Sequence, residues 1–238
     1  MKLDILAIGV HPDDVELSAA GTLLKHIALG KKVGILDLTK GELGTRGNAE
    51  LRTQEAHKAS QILGVSVRER LNLADGFFEN NELNQKQIIH IIRKYQPEIV
   101  LCNAISDRHP DHGRAAKLTA DACFYSGLVK VETLENTHIQ LPWRPKAVYH
   151  YIQDNYIEPD FIIDITPYMD KKMESIMAYS SQFYDVNSKE LETPISSQNF
   201  IDYIKAKSCF FGRSINCDFA EGFTASRTLG VDNLFDLR

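Results

Sequence analysis

With 238 residues, 43% of them hydrophobic and 25% charged, and a formal net charge of -5, the chain suits a single domain able to bury a full core. It carries no basic block of the kind that attracts nucleic acid or an anionic membrane, no internal repeat and no low-complexity tract, which argues against a polyanion binder, a solenoid or a disordered scaffold. The four cysteines, Cys102, Cys123, Cys209 and Cys217, include no CxxC pair and read as reduced thiols.

The first apolar run, residues 5–10, reads as a buried strand. It is too short for a signal sequence or a membrane span, so a cytoplasmic protein is expected. Pro12 biases His11 toward an extended conformation and ends the strand. From Glu16 onward Leu17, Ala20, Leu24, Ile27 and Ala28 recur at helical spacing. His11, Asp13 and Asp14 therefore occupy a strand-to-helix turn, the place where open parallel sheets bind ligands. One of the two carboxylates could simply cap the helix. A cap needs only one.

Residues 33–39 form a second strand, which completes a βαβ unit and predicts a parallel sheet. The glycine-rich loop 41–47 matches neither GxGxxG nor GxxxxGK[ST], so a nucleotide cradle is not indicated. Residues 48–63 form the next helix, with Ala56, Ala59 and Leu63 on its apolar stripe and Arg52 one turn earlier on the same stripe. Arg52 is a candidate anchor for an anionic group, with a solvated or salt-bridged surface arginine as the plainer reading.

A third strand is placed at 69–73, a helix at 83–95 and a fourth strand at 99–102. Beyond it, residues 103–113 again set histidines and a carboxylate, His109, Asp111 and His112, at a strand's carboxyl end, before a helix from Arg114 to about Tyr125. Residues 128–146 are polar and proline-containing, an excursion or oligomer contact. Strands at 147–152 and 161–165 and helices at 168–180 and 199–211 follow, and the tail 217–238 offers only short extended segments. The expected fold is α/β and Rossmann-like: one domain over 1–238, a mostly parallel sheet with helices on both faces, and the active site at the carboxyl ends of the strands.

If the ends of the first and fourth strands are neighbours, His11, Asp14 and His112 make a His-Asp-His set. Such a set is a recurrent zinc complement that leaves a coordination position open. Asp13, beside a ligand but free, can act as general acid/base. His109 could donate to the oxyanion of a tetrahedral intermediate, and Asp111 could orient one of the imidazoles. Each histidine alone is more often a surface or satisfied core group. Two HPD tripeptides at two strand ends are hard to explain as independent turns.

At these residues, His11-Pro12-Asp13-Asp14-Val15-Glu16 with His109-Pro110-Asp111-His112, the chain resembles the PIG-L/LmbE superfamily of zinc-dependent N-deacetylases that act on N-acetylglucosaminyl compounds. The likeness extends to Thr39-Lys40-Gly41-Glu42, the helix bearing Arg52, and Ala220-Glu221-Gly222-Phe223. Within the superfamily the chain most resembles the bacillithiol-biosynthesis deacetylases, whose substrate is N-acetylglucosaminyl malate.

The resemblance implies His11, Asp14 and His112 as zinc ligands, Asp13 as general base, His109 as the oxyanion-stabilising group, and Arg52 and Arg108 in contact with substrate. Iron(II) or another divalent metal would suit the same ligands. The resemblance also implies a homo-oligomer, a hexamer among the options, with a small sugar as substrate, while the charge balance speaks against nucleic acid or membrane as partner. One position departs from the pattern. Relatives acting in mycothiol synthesis place a tyrosine two residues before the histidine matching His109, and here that residue is Asp107, so a tyrosine acid role does not transfer. A deacetylase or amidase for a bacillithiol S-conjugate or a chitooligosaccharide is the alternative within enzymology, and a nucleotide-binding module is the alternative outside it.

Overall fold

The computed structural model describes residues 1–237. Its elements run β1 (Ile5–Gly9), α1 (Asp14–Ala28), β2 (Val33–Asp37), α2 (Ala49–Leu63), β3 (Val67–Arg70), α3 (Glu82–Tyr95), β4 (Ile99–Cys102) and α4 (Pro110–Tyr125). Then come the short strands β5 (Leu134–Glu135) and β6 (His138–Ile139), β7 (Ala147–Tyr151), β8 (Phe161–Asp164), α5 (Met169–Met177), α6 (Gln198–Ser214) and β9 (Ala220–Ala225). Seven strands form one sheet in the order β3-β2-β1-β4-β7-β9-β8. β9 runs antiparallel to both its neighbours, and the remaining pairings are parallel. This is the expected mostly parallel α/β sheet.

Strand alternation builds the two cores. Leu6 and Ile8 of β1 join Ile88 and Ile92 of α3 and Leu118 of α4 on one face. Ile5 and Ala7 join Val15, Ala19 and Leu23 of α1 on the other. A β-strand places successive side chains on opposite faces, so five consecutive buried residues in β1 require helices on both sides. Among the described residues no helix is long and apolar enough to cross a membrane.

Chain order in the sheet reverses between β1 and β4, which pair directly through Ile5 with Ile99, Leu6 with Val100 and Ala7 with Leu101. Such a switch point opens a crevice beyond the carboxyl ends of the two strands. Several boundaries differ from expectation, among them the ends of α5, at Met177 rather than 180, and of α6, at Ser214 rather than 211. α4 begins at Pro110 rather than Arg114, with His109 as its N-cap, because proline at the first helical position gives up a hydrogen bond the helix would not have made. β3 lies at Val67–Arg70 rather than 69–73. The tail contributes β9, a full strand inside the sheet. Residues 128–146 make the expected excursion, with β5 and β6 as a small antiparallel ribbon.

Candidate active site

The turn after β1 is built on strained backbone. Asp13 precedes α1 with φ 114° and ψ -26°, a region a non-glycine residue enters at a cost of about 1–3 kcal/mol. Its side chain does not cap the helix. It accepts instead from Arg52 Nη2 at 2.8 Å, and the same nitrogen donates to the Pro12 carbonyl at 2.7 Å. Arg52 reaches this position over Gly41, which has φ 63° and whose missing Cβ leaves the space the guanidinium fills. Asp14 turns the other way, and its Oδ2 accepts from the His11 amide at 2.9 Å.

The two histidine loops meet across the switch point. Asp14 Oδ2 lies 3.7 Å from His11 Nδ1, and Asp14 Oδ1 lies 3.2 Å from His112 Nε2. Each imidazole is held by a carboxylate through its other nitrogen. His11 Nε2 is 3.0 Å from Asp75 Oδ1 and 3.5 Å from Asp111 Oδ2, and His112 Nδ1 is 2.5 Å from Asp107 Oδ2. A carboxylate behind each ring fixes the tautomer and aims the opposite lone pair at the shared centre, the arrangement found behind metal-binding histidines. Nitrogens of His11, His109 and His112 also lie within 4.8 Å of one another.

The supporting carboxylates are themselves fixed. Asp75 Oδ2 accepts from the Leu43 amide at 2.9 Å, and Asp111 accepts from the Gly76 amide at 2.9 Å and from Arg114 at 3.0 Å. Asp14 receives further bonds from Asn103 Nδ2 at 3.0 Å and Gln153 Nε2 at 3.1 Å. His109 Nδ1 accepts the Asp111 amide at 3.2 Å, so a neutral His109 carries its proton on Nε2 as a donor.

The electrostatics favour positive charge at the centre. Burial opposes charge on His11, but hydrogen bonds to Asp111 and Asp75 and the charge of Asp14 prevail and lift the imidazole to about 10. Burial likewise opposes charge on His112, which the charge of Asp14 and the hydrogen bond it donates to Asp107 lift to about 9. Burial pushes Asp14 up, yet the charge and hydrogen bond of His112 and the charge of His11 hold it far below the carboxylate range. Asp13 goes the opposite way, raised to about 7 by burial against the pull of Arg52. Burial, then the charges of His11 and His112, lower His109. A donor set of two imidazole nitrogens and a carboxylate, backed by acid groups that draw protons onto both rings, fits a divalent cation.

These residues line a cavity of about 310 Å³, at the small end of ligand pockets. Arg52 is on its wall but 5% exposed and committed to Asp13. Arg108 is exposed at the cavity and paired with Asp154 at 2.6 Å. Asp75, Asn103 and Gln153 are not among the residues expected here. Gln153 and Asn103 each follow the end of a strand, β7 and β4, and that position is the signal that could have found them. Asp75 sits in a turn with no motif around it.

A family profile described as PIG-L, GlcNAc-PI de-N-acetylase, matches residues 6–123. The solved structure of the conserved protein TT1542 from Thermus thermophilus is 32% identical and superposes with a TM-score of 0.85, covering 97% of this chain and 98% of that one. The diacetylchitobiose deacetylase of Thermococcus kodakarensis is 28% identical over 228 residues, 92% of this chain and 81% of its own length. A Bacillus anthracis protein named as a probable N-acetyl-alpha-D-glucosaminyl L-malate deacetylase 2 is 25% identical over 199 residues, 75% of this chain and 81% of its own.

Proposed function

The chain belongs to the PIG-L/LmbE superfamily of deacetylases, and from that premise we propose that it is a metal-dependent hydrolase that removes the N-acetyl group of an N-acetylglucosaminide. The observation that carries this reading is the meeting of His11, Asp14 and His112 at the switch point with the Asp13 carboxylate beside them. In this reading those three residues hold the cation, zinc first and iron(II) by the same donor chemistry. When bound, it supplies a Lewis acid for the acetamido carbonyl and acidifies a water.

The remaining chemistry belongs to the chain. Asp13, kept buried and aimed by Arg52, takes the proton of the attacking water and returns it to the departing nitrogen. His109, with Nδ1 committed to the Asp111 amide, offers its Nε2 proton to the oxygen that gains charge. Asp75, Asp111 and Asp107 keep the two ligand imidazoles in place. Arg52 holds Asp13 from the cavity wall, and it and Arg108 are the arginines we place against the substrate.

The substrate we favour is N-acetylglucosaminyl malate. Its carboxylates suit Arg108, and the name of the Bacillus anthracis relative supports it. Diacetylchitobiose is the second reading, favoured by the name of the Thermococcus kodakarensis relative. A cytoplasmic homo-oligomer, a hexamer among the options, belongs to the same proposal. The experiment is acetate release by metal-analysed protein from N-acetylglucosaminyl malate, diacetylchitobiose and N-acetylglucosamine. Highest kcat/KM on the malate compound supports the first substrate, highest on diacetylchitobiose supports the second, and no acetate from any of them overturns the deacetylase reading.

A further inference from the structure

Among the described residues, four lysine and arginine side chains line the cavity: Arg46, Arg52, Arg108 and Lys207. Three are neutralised by carboxylates. Arg46 faces Glu190 at 3.4 Å, Arg52 faces Asp13 at 2.8 Å and Arg108 faces Asp154 at 2.6 Å. Lys207, on α6, makes no ion pair among the described residues. Its ammonium donates to the Gln153 carbonyl, leaving two of its three donors for something else. The chain that presents this carbonyl also presents the Gln153 amide to Asp14 and, at 3.4 Å, to His112. Lys207 is thus one residue removed from the ligand cluster, on the wall of the same cavity.

We infer that Lys207 is a specificity-determining residue that binds an anionic group, a carboxylate or a phosphate, on the aglycone of the N-acetylglucosaminide. The inference rests on the deacetylase reading and adds to it a residue that selects for an anionic aglycone. Burial and the charge of Lys172 depress the Lys207 ammonium to about 8, with Asp154, Asp107 and Glu221 opposing from a distance. A half-buried ammonium lacking a counter-ion gains more from an anionic ligand than the already paired arginines do. Tyr203, one turn earlier on α6, donates its hydroxyl to the Asp154 carbonyl, which ties the helix to the same loop and holds the lysine at the wall.

The test compares the native protein with Lys207→Met on three substrates: N-acetylglucosaminyl malate, N-acetylglucosamine 1-phosphate and methyl N-acetylglucosaminide. The expected result is a loss in kcat/KM of about tenfold to a hundredfold on at least one of the two anionic substrates, the range a charge-assisted hydrogen bond supports, with the methyl glycoside unchanged as proof that the variant is folded. The anionic substrate that suffers more identifies the group. Lys207→Arg should retain part of the preference.

Equal loss on all three substrates, or no loss on the anionic ones, overturns the inference. Calorimetric binding of the deacetylated product glucosaminyl malate, against methyl glucosaminide, gives the same comparison without turnover. If no substrate releases acetate, the deacetylase reading fails, while weaker product binding by Lys207→Met still upholds the anion site and unchanged binding removes it.

Discussion

His11 Nε2 lies 3.0 Å from the carboxylate of Asp75, a residue 64 positions away with no motif around it. The contact leaves Nδ1 as the nitrogen that faces Asp14. Asp75→Asn keeps the size of the partner but removes the charge that supports the ring. Supports of this kind are worth about tenfold to a hundredfold in metal affinity. Titration against a competing chelator should show that loss in a variant whose far-UV circular dichroism matches the native protein. Unaltered affinity would mean that Asp111, at 3.5 Å, holds the imidazole alone.

Asp13 and Arg52 form a buried pair with both side chains 6% exposed, and the two are separable by mutation. Asp13→Asn should lower kcat by about 10²–10⁴, the usual contribution of a positioned base, while metal content stays at the native level. Arg52→Ala removes the charge that draws Asp13 down from the value burial alone would give. The carboxyl pKa then rises, so a base that must be ionised loses its proton at higher pH, and the acidic limb of kcat/KM moves to higher pH. An unmoved acidic limb would take Asp13 out of the base role.

Metal removal should leave a protein that holds protons where the cation would be. His11 at about 10 and His112 at about 9 lie above neutral pH, so in the metal-free state at pH 7 both rings are protonated. A cation binds only the deprotonated nitrogens, so loading releases about one proton from each ring. Calorimetry in buffers of different ionisation enthalpy should report close to two protons at pH 7, declining as pH passes 9 and then 10. Release near zero at pH 7 would show that the rings are neutral before the metal arrives.

Residues whose role is local are legible from sequence. The βαβ pattern, the strand ends and the two histidine-carboxylate turns follow from period and from proline. Residues whose role depends on a distant partner are not. β9 is interrupted by Glu221 and Gly222, which look unsuited to a buried strand. The structure buries Glu221 because Lys172 reaches it at 2.6 Å and it accepts the amides of Gly21 and Thr22, 200 and 199 residues away. The pattern sets β3 two residues late because Arg68 reads as a solvated residue and is in fact enclosed. It starts α4 four residues late because Pro110 looks like loop, which hides that Asp111 and His112 project from the first helical turn.

Arg68 supplies the sharpest stability test. It meets Asp37 as a fork, Nε to Oδ2 at 2.7 Å and Nη2 to Oδ1 at 2.8 Å, and reaches Glu16 through Nη1 at 2.6 Å. Burial disfavours its charge, but Asp37 and Glu16 outweigh that and hold the guanidinium well above its ordinary value. Arg68→Ala leaves two carboxylates in the interior without a cation, a change that costs about 3–5 kcal/mol. Arg68→Lys should recover only part of it, because an ammonium cannot make the planar fork to Asp37. Urea unfolding should show a lower midpoint at constant m-value for both variants, with alanine the lower. Since Glu16 shares the first turns of α1 with Asp14, the alanine variant should also bind metal more weakly. An unfolding free energy within about 1 kcal/mol of native would place the triad among ion pairs whose desolvation cancels their attraction.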